Sequence, residues 1–413
     1  MVQYLFAAFS FKKSIDEGGV NYRQLELIRG WTTNLLVVAR QEMEHLGLVA
    51  NLLTAIGEAP EFQHLDFPIS LNQTCIRSSD GKPLSLEPFG PRSSLNFICF
   101  EMPQTLSPEQ RLALRPFLGD FSTSDFDGIY RTYSAIRNLI NTIPEEELFI
   151  GPPSAQFLSG GNSVVARGRI YPQKHGPAPA EIYDIRLEPV TDRKSANLVI
   201  DQIIEEGEGG TDSSETSHFS RFLKMHQEFI TELAFDPNFK PSRMVVTNPI
   251  AKDPDSVSES STNITNPDTI QVYELFGETY RTMVLMLMRY FAHTDETAAD
   301  LIGLQNTVFF PMMTVAIRPL AEILTLLPAG DPESPLRAGP NFSLPPRVQL
   351  LPHREPAWRL ILSAIQDLAA RAERIRNLSS LTDTLRIRIS FIAENFARMA
   401  MNFQETMHTR TTL

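Results

Sequence analysis

Apolar side chains recur at helical spacing through Leu35–Ile56, LLVVARQEMEHLGLVANLLTAI. At a seven-residue period Trp31, Leu35, Val38, Glu42, His45, Val49, Leu52 and Ile56 fall on one stripe of a helix. That helix is predicted over residues 21–56, with Gly57 and Pro60 as its stop signals. Six of the eight side chains are apolar, so the stripe faces a core. The other two, Glu42 and His45, stand one turn apart, and burying them is costly unless each is paired or bound to a metal. Glu-x-x-His on a buried helix face is what one helix contributes to a two-metal site in a four-helix bundle. A hydrogen-bonded core pair that only orients helices is the competing reading.

Elsewhere the chain alternates between helical and irregular stretches. Residues 1–14 are apolar almost from the first position and turn at Glu17-Gly18-Gly19. Residues 60–122 set alternating runs, Leu84-Ser85-Leu86 and Leu95-Asn96-Phe97-Ile98-Cys99-Phe100, among Pro, Gly and Ser, which predicts short strands and ordered loop. Helical spacing returns over 125–143, through Ile129, Tyr133, Ile136, Ile140 and Ile143. A second loop-and-strand insertion, 145–189, carries Tyr183-Asp184-Ile185-Arg186-Leu187, and helices are predicted over 195–208 and 214–235. Residues 236–268 are rich in Pro, Ser, Asn and Asp and read as a linker. Four further helices are predicted at 269–292, 296–327, 355–377 and 380–407. The pattern predicts an all-α protein: a bundle over 1–235 with insertions at 60–122 and 145–189, the linker, and a second helical bundle over 269–413.

A second Glu-x-x-His, Glu215-Thr216-Ser217-His218, shares a stripe with Phe222, Met225 and Phe229. Two such pairs, each in an apolar seam, make a shared metal site the sharper expectation. The preceding helix ends in IIEEGEGG, where Glu205 and Glu208 share a face with Leu198 and Asp201 and are expected to point inward. Glu206 is expected to be solvated, as is Glu44 beside His45. The first helix holds no acid between Met1 and Ile15, so a glutamate expected there lies upstream of Met1 in a longer chain or is missing from the site. Asp125 and Asp127 are reserve candidates. His64, His175, His226 and His353 lie in loops or off the helix seams and read as structural or solvated.

Composition narrows the class. The 413 residues carry a net charge of −12, which argues against nucleic acid or an anionic membrane as the main partner. Two cysteines, Cys75 and Cys99, give no disulfide framework and no cysteine zinc site, in keeping with a reducing cytoplasm. In MVQYLFAAFSFKK the lysines follow the apolar run, the wrong order for a signal peptide. The apolar stretch Thr307–Ile317 is interrupted by Pro311 and reads as a buried helix. P-loop, dinucleotide and nucleophile-elbow motifs are absent from the sequence.

Five stretches carry a family resemblance: ARQEMEHLGLVANLLTAIGEAP (Ala39–Pro60), LEPFG (Leu86–Gly90), LFIGPPSAQ (Leu148–Gln156), IIEEGEGG with SHFSRF (Ile203–Phe222), and RPLAEILTLLPAG with AGPNF (Arg318–Phe342). They resemble the ferritin-like domain family of the iminophenyl-pyruvate dimer synthases. The resemblance implies a ferritin-like four-helix bundle and the coupling of two aryl-pyruvate imines, as in bisindole pigment biosynthesis. By it, Glu42, His45, Glu205, Glu208 and His218 are metal-site positions, and pigment-forming members are often longer at the N-terminus.

The expectation is a cytoplasmic non-haem di-iron oxidase or oxygenase of specialised metabolism. Glu42, His45, Glu205 or Glu208, Glu215 and His218 would be its ligands, with Glu42, His45 and His218 the catalytic core. Iron is the expected metal and manganese the alternative. The partners would be dioxygen and a small amino-acid-derived or aryl-pyruvate imine, and the assembly to consider is a homodimer. A metal-storage ferroxidase and an inactive helical scaffold are the rivals.

Overall fold

The protein, described here by a computed structural model, is traced over residues 1–62, 66–126, 128–157, 187–208, 217–252, 260–344 and 351–408. Its described residues divide between two compact units. The first comprises Met1–Leu46, Phe67–Ile150 and Val190–Asn248, and the second Gly47–Asp66, Gly151–Pro189 and Pro249–Leu413.

The first unit contains α1 (Val2–Ser10), most of α2 (Tyr22–Ala55), α3 (Pro91–Phe100), α4 (Pro108–Leu118), α5 (Gly128–Thr142), α6 (Glu145–Leu148), α7 (Arg193–Glu208) and α8 (His218–Phe235). α1 buries Tyr4 and every residue from Phe6 to Ser10, as a helix apolar on all sides must. α3 runs where alternation predicts a strand. Pro91 opens it at the first helical position, Gly90 precedes it, and five of the six residues of the alternating run Leu95–Phe100 are buried because the helix is enclosed on several faces. Alternation of short apolar runs does not separate a strand from a helix buried nearly all round. The Leu84 run is extended as predicted, forming an isolated antiparallel bridge with Ile69.

The core of this unit is aromatic. The Trp31 ring of α2 meets Phe11, Phe89, Phe229 and Phe239, and its indole N–H donates to Glu228 at 2.8 Å. Tyr4 packs on Phe97 of α3 and Phe222 of α8, with ring centroids 4.8 and 5.0 Å away. Each such ring contributes about 1.5–3 kcal/mol through burial alone. Together they fix α1, α2, α3 and α8 around one centre.

The second unit is likewise helical: α9 (Pro267–Tyr290), α10 (Ala298–Leu304), α11 (Phe310–Met312), α12 (Arg318–Leu324), α13 (Arg354–Ile375) and α14 (Asp383–His408). α10, α11 and α12 form one rod through π-helical turns at Gln305–Phe309 and Met313–Ile317. Each π turn ends two residues before a proline, Pro311 or Pro319, whose missing N–H and bulky ring disrupt the regular α ladder. The rod from Ala299 to Leu324 is long and apolar enough to cross a membrane, with a mean hydropathy of 1.4, but 56% of that window is buried within the protein. β1 (Pro249–Ile250) and β2 (Thr262–Asn263) pair in parallel and are the named strands among the described residues. The four helical stretches predicted beyond residue 268 are all present. Cys75 and Cys99 are free thiols, one exposed and one buried.

Candidate metal centre

α2 presents Glu42 and His45 on adjacent turns, as its stripe predicts. His45 is 7% exposed, and its Nδ1 lies 3.4 Å from Glu42 Oε1. His218 arrives from the start of α8. Ser217 caps that helix by accepting the Ser220 N–H, which places His218 at the first helical position and fully buries it. The His218 Nδ1 stands 3.3 Å from the same Glu42 oxygen, and the two imidazole centroids are 5.6 Å apart. The amino group of Met1 is 4.0 Å from the other Glu42 oxygen.

Glu101, which the sequence does not flag, completes the group. It caps the C-terminal end of α3 and is buried, with Oε2 3.4 Å from His218 Nδ1. Its Oε1 accepts the Tyr4 hydroxyl at 2.6 Å. The signal that could have found it is a lone acid directly after the buried run Phe97–Phe100. Ligand atoms of Glu42, Glu101 and His218 all lie within 4.8 Å of one another, close enough to hold one metal ion.

α7 supplies a neighbouring carboxylate, and it is Glu206. Its Oε2 lies 3.2 Å from His45 Nε2, and Gln41 and Gln202 donate side-chain amides to it at 3.3 and 3.2 Å. The inward stripe of α7 is Ala196, Val199, Ile200, Ile203 and Gly207, with Glu206 on its flank. Glu205 and Asp201 are exposed, and Leu198 is 60% exposed, so the face through Leu198, Asp201 and Glu205 is the outer one. This corrects the expected roles of Glu205 and Glu206. Glu44 is also corrected: it is buried and paired with Arg40 at 3.3 Å. Glu208 ends α7 with its side chain outside the described atoms, and Glu215 and Asp127 lie outside the described residues. α8 begins at His218, with Ser217 as its cap. Asp125 is exposed and caps a turn with Ser122. His226 is buried against Ser94, His353 is exposed near Asp295, and His64 and His175 lie outside the described residues.

The electrostatics of the cluster follow from burial opposed by charge. Burial disfavours the imidazolium of His45, yet Glu206 and Glu42 outweigh it and raise its pKa to about 10. Glu101 and Glu42 similarly overcome burial at His218 and raise it to about 9. Burial pushes the Glu42 carboxyl upward, but His218 and His45 together hold it well below its usual range. Tyr4 is held well above a normal phenol, first by burial and then by the Glu101 and Glu42 charges.

The donor set fits a metal. His218 is fully buried, yet neither ring nitrogen has an aligned hydrogen-bond partner, although two carboxylates stand beside Nδ1. A buried imidazole in that condition is costly on its own and well placed as a ligand. Imidazole and carboxylate together suit iron or manganese.

The chain is similar to two curated relatives. It is 28% identical to the dichlorochromopyrrolate synthase of Lentzea aerocolonigenes over 96% of this chain and 39% of that protein. It is 25% identical to the 2-imino-3-(indol-3-yl)propanoate dimerase of Chromobacterium violaceum over 80% of this chain and 31% of that protein. The chain thus spans less than two fifths of the length of either relative. No solved structure matches. A ferritin-like family profile matches residues 1–227, which hold α1–α8 apart from the end of α8 and contain every residue of the cluster. The chain belongs to the ferritin-like family.

Proposed function

We propose that this chain acts in an oxidoreductase of specialised metabolism that joins two aryl-pyruvate imines, or related amino-acid-derived imines, with dioxygen as oxidant on a two-iron centre. The observation that carries the reading is Glu42 Oε1, which lies within 3.4 Å of a nitrogen of both His45 and His218. One ion would be held by Glu42, Glu101 and His218, and His45, whose Nδ1 faces Glu42, would contribute to a second. Glu208 and Glu215 complete the candidate set, and manganese is the alternative metal. The family, and two relatives named for a synthase and an imine dimerase, support this class of chemistry.

Joining two imines carbon to carbon removes two electrons and two protons from the pair, and reducing dioxygen to hydrogen peroxide takes up both. Bound iron would supply the redox chemistry for that exchange. The protein's own groups would do the rest. Phe97 and Phe222 pack on Tyr4 and fix the phenol that bonds Glu101. Glu206, steadied by Gln41 and Gln202, orients His45 and can share a proton with its Nε2.

Anaerobic reconstitution with ferrous iron tests this directly. The expected result is about two irons per chain and dioxygen uptake that depends on an aryl-pyruvate imine generated in the assay. A chain that stays metal-free after reconstitution would overturn the proposal.

A further inference from the structure

We infer that Tyr4 is a positioning residue for the metal centre: helix α1 contributes a phenol that holds Glu101 in place, where a helix-borne carboxylate is expected. The inference rests on the metal-binding reading above and adds to it a role for a residue outside the ligand set.

Three observations converge. The Tyr4 hydroxyl donates to Glu101 Oε1 at 2.6 Å, which leaves Oε2 turned toward His218 at 3.4 Å. The carboxylate is thereby split, one oxygen fixed by the protein and the other offered to the cluster. The Tyr4 ring is 3% exposed and locked edge-on to Phe97 and against Phe222, so the donor does not swing away. On the opposite side, Gly207 of α7 leaves room for Oε2: a Cβ at that position would stand 3.2 Å from it. That separation is tighter than ordinary contact, so a side chain there would press on the oxygen facing His218. Glu101 needs such support because it caps the end of α3, where helical hydrogen bonding no longer fixes the backbone. An outer hydrogen bond to a ligating carboxylate sets its orientation and basicity.

The test is titration of the intact chain with Co²⁺, read by stoichiometry, affinity and visible absorption. Tyr4→Phe keeps the ring and removes the donor. It is expected to weaken cobalt binding about 10- to 100-fold at unchanged stoichiometry and to alter the cobalt absorption, with helix content by circular dichroism preserved. In a Glu101→Gln background the same Tyr4→Phe change is expected to have little further effect, because its route to the metal is gone. Should Tyr4→Phe not fold, a difluorinated tyrosine in place of Tyr4 keeps ring and hydroxyl while strengthening the donor, and is expected to shift the cobalt absorption.

Gly207→Ala is expected to weaken binding while leaving the helix intact. Wild-type binding with unaltered affinity and spectrum in Tyr4→Phe, an unaltered spectrum in the fluorinated protein, or an equal loss in the Glu101→Gln background would overturn the inference and leave the metal site standing. A wild-type chain that binds no cobalt or iron would overturn both.

Discussion

His45 and His218, from α2 and α8, lie with their rings 5.6 Å apart and share one oxygen of Glu42 between them. That carboxylate stands as counter-ion to two imidazoles, and the same atoms are those a metal would need. Proton and metal therefore compete for one set of lone pairs.

The competition has a sign. Both imidazoles hold protons at neutral pH, since their pKa values are raised to about 10 and about 9. Each must lose its proton to ligate. Metal affinity should therefore rise with pH, by up to about tenfold per pH unit for each proton displaced, and level off as pH passes the folded-state values. Calorimetry of metal binding at pH 7 in two buffers of different ionisation enthalpy should show net proton release. Binding without proton release would contradict displacement of a proton from either imidazole by the metal.

Adjacent glutamates on α7 give a sharper contrast. Glu206→Gln keeps the length of the side chain but removes the charge beside His45 Nε2, and is expected to weaken metal binding about 10- to 100-fold. Glu205→Gln changes an exposed residue and should leave affinity unchanged. A loss confined to Glu205→Gln would restore the register expected from the sequence.

The difference between those two residues marks how far the sequence could be read. Glu42 and His45 are legible because six apolar neighbours at helical spacing fix their face. The IIEEGEGG segment gives no such constraint: three acids and three glycines lie close together, and Leu198, which suggests an inward face, is itself 60% exposed. Glu101 is illegible for another reason. Its role depends on α3 being a helix, and an apolar run with partial alternation does not choose between strand and helix until packing encloses it. Ferritin-like architecture and the helices after residue 268 follow from long seams, which local ambiguity does not disturb.

Two glycines should respond to alanine with opposite signs. Gly128 opens α5 with its Cα against the Cys75 carbonyl, and an added Cβ would stand 2.1 Å from that oxygen. Backbone must move, so Gly128→Ala should cost about 1–3 kcal/mol. Gly30 is exposed in the interior of α2 with nothing near its absent Cβ, and Gly30→Ala should stabilise by up to about 1 kcal/mol. Paired urea melts measure both, and stabilisation by Gly128→Ala would contradict the packing of α5.

His226 gives the fold a separate acid sensitivity. It is 1% exposed, its Nδ1 is 2.8 Å from Ser94 Oγ, and the Phe117 ring meets it edge-on. Nε2 is buried without a hydrogen-bond partner. Burial lowers its pKa from 6.5 to about 4, so the folded chain keeps it neutral where the unfolded chain takes up a proton. The sign follows: this contribution is present in full above pH 6.5, declines as pH falls, and is gone below about pH 4. Between pH 7 and pH 5 the loss should be on the order of 2 kcal/mol. His226→Gln removes the titrating group, so its stability should fall less than that of wild type over the same interval, whatever the carboxylates near His218 contribute to both. Equal pH slopes in urea melts of the two proteins would show that His226 carries no such linkage.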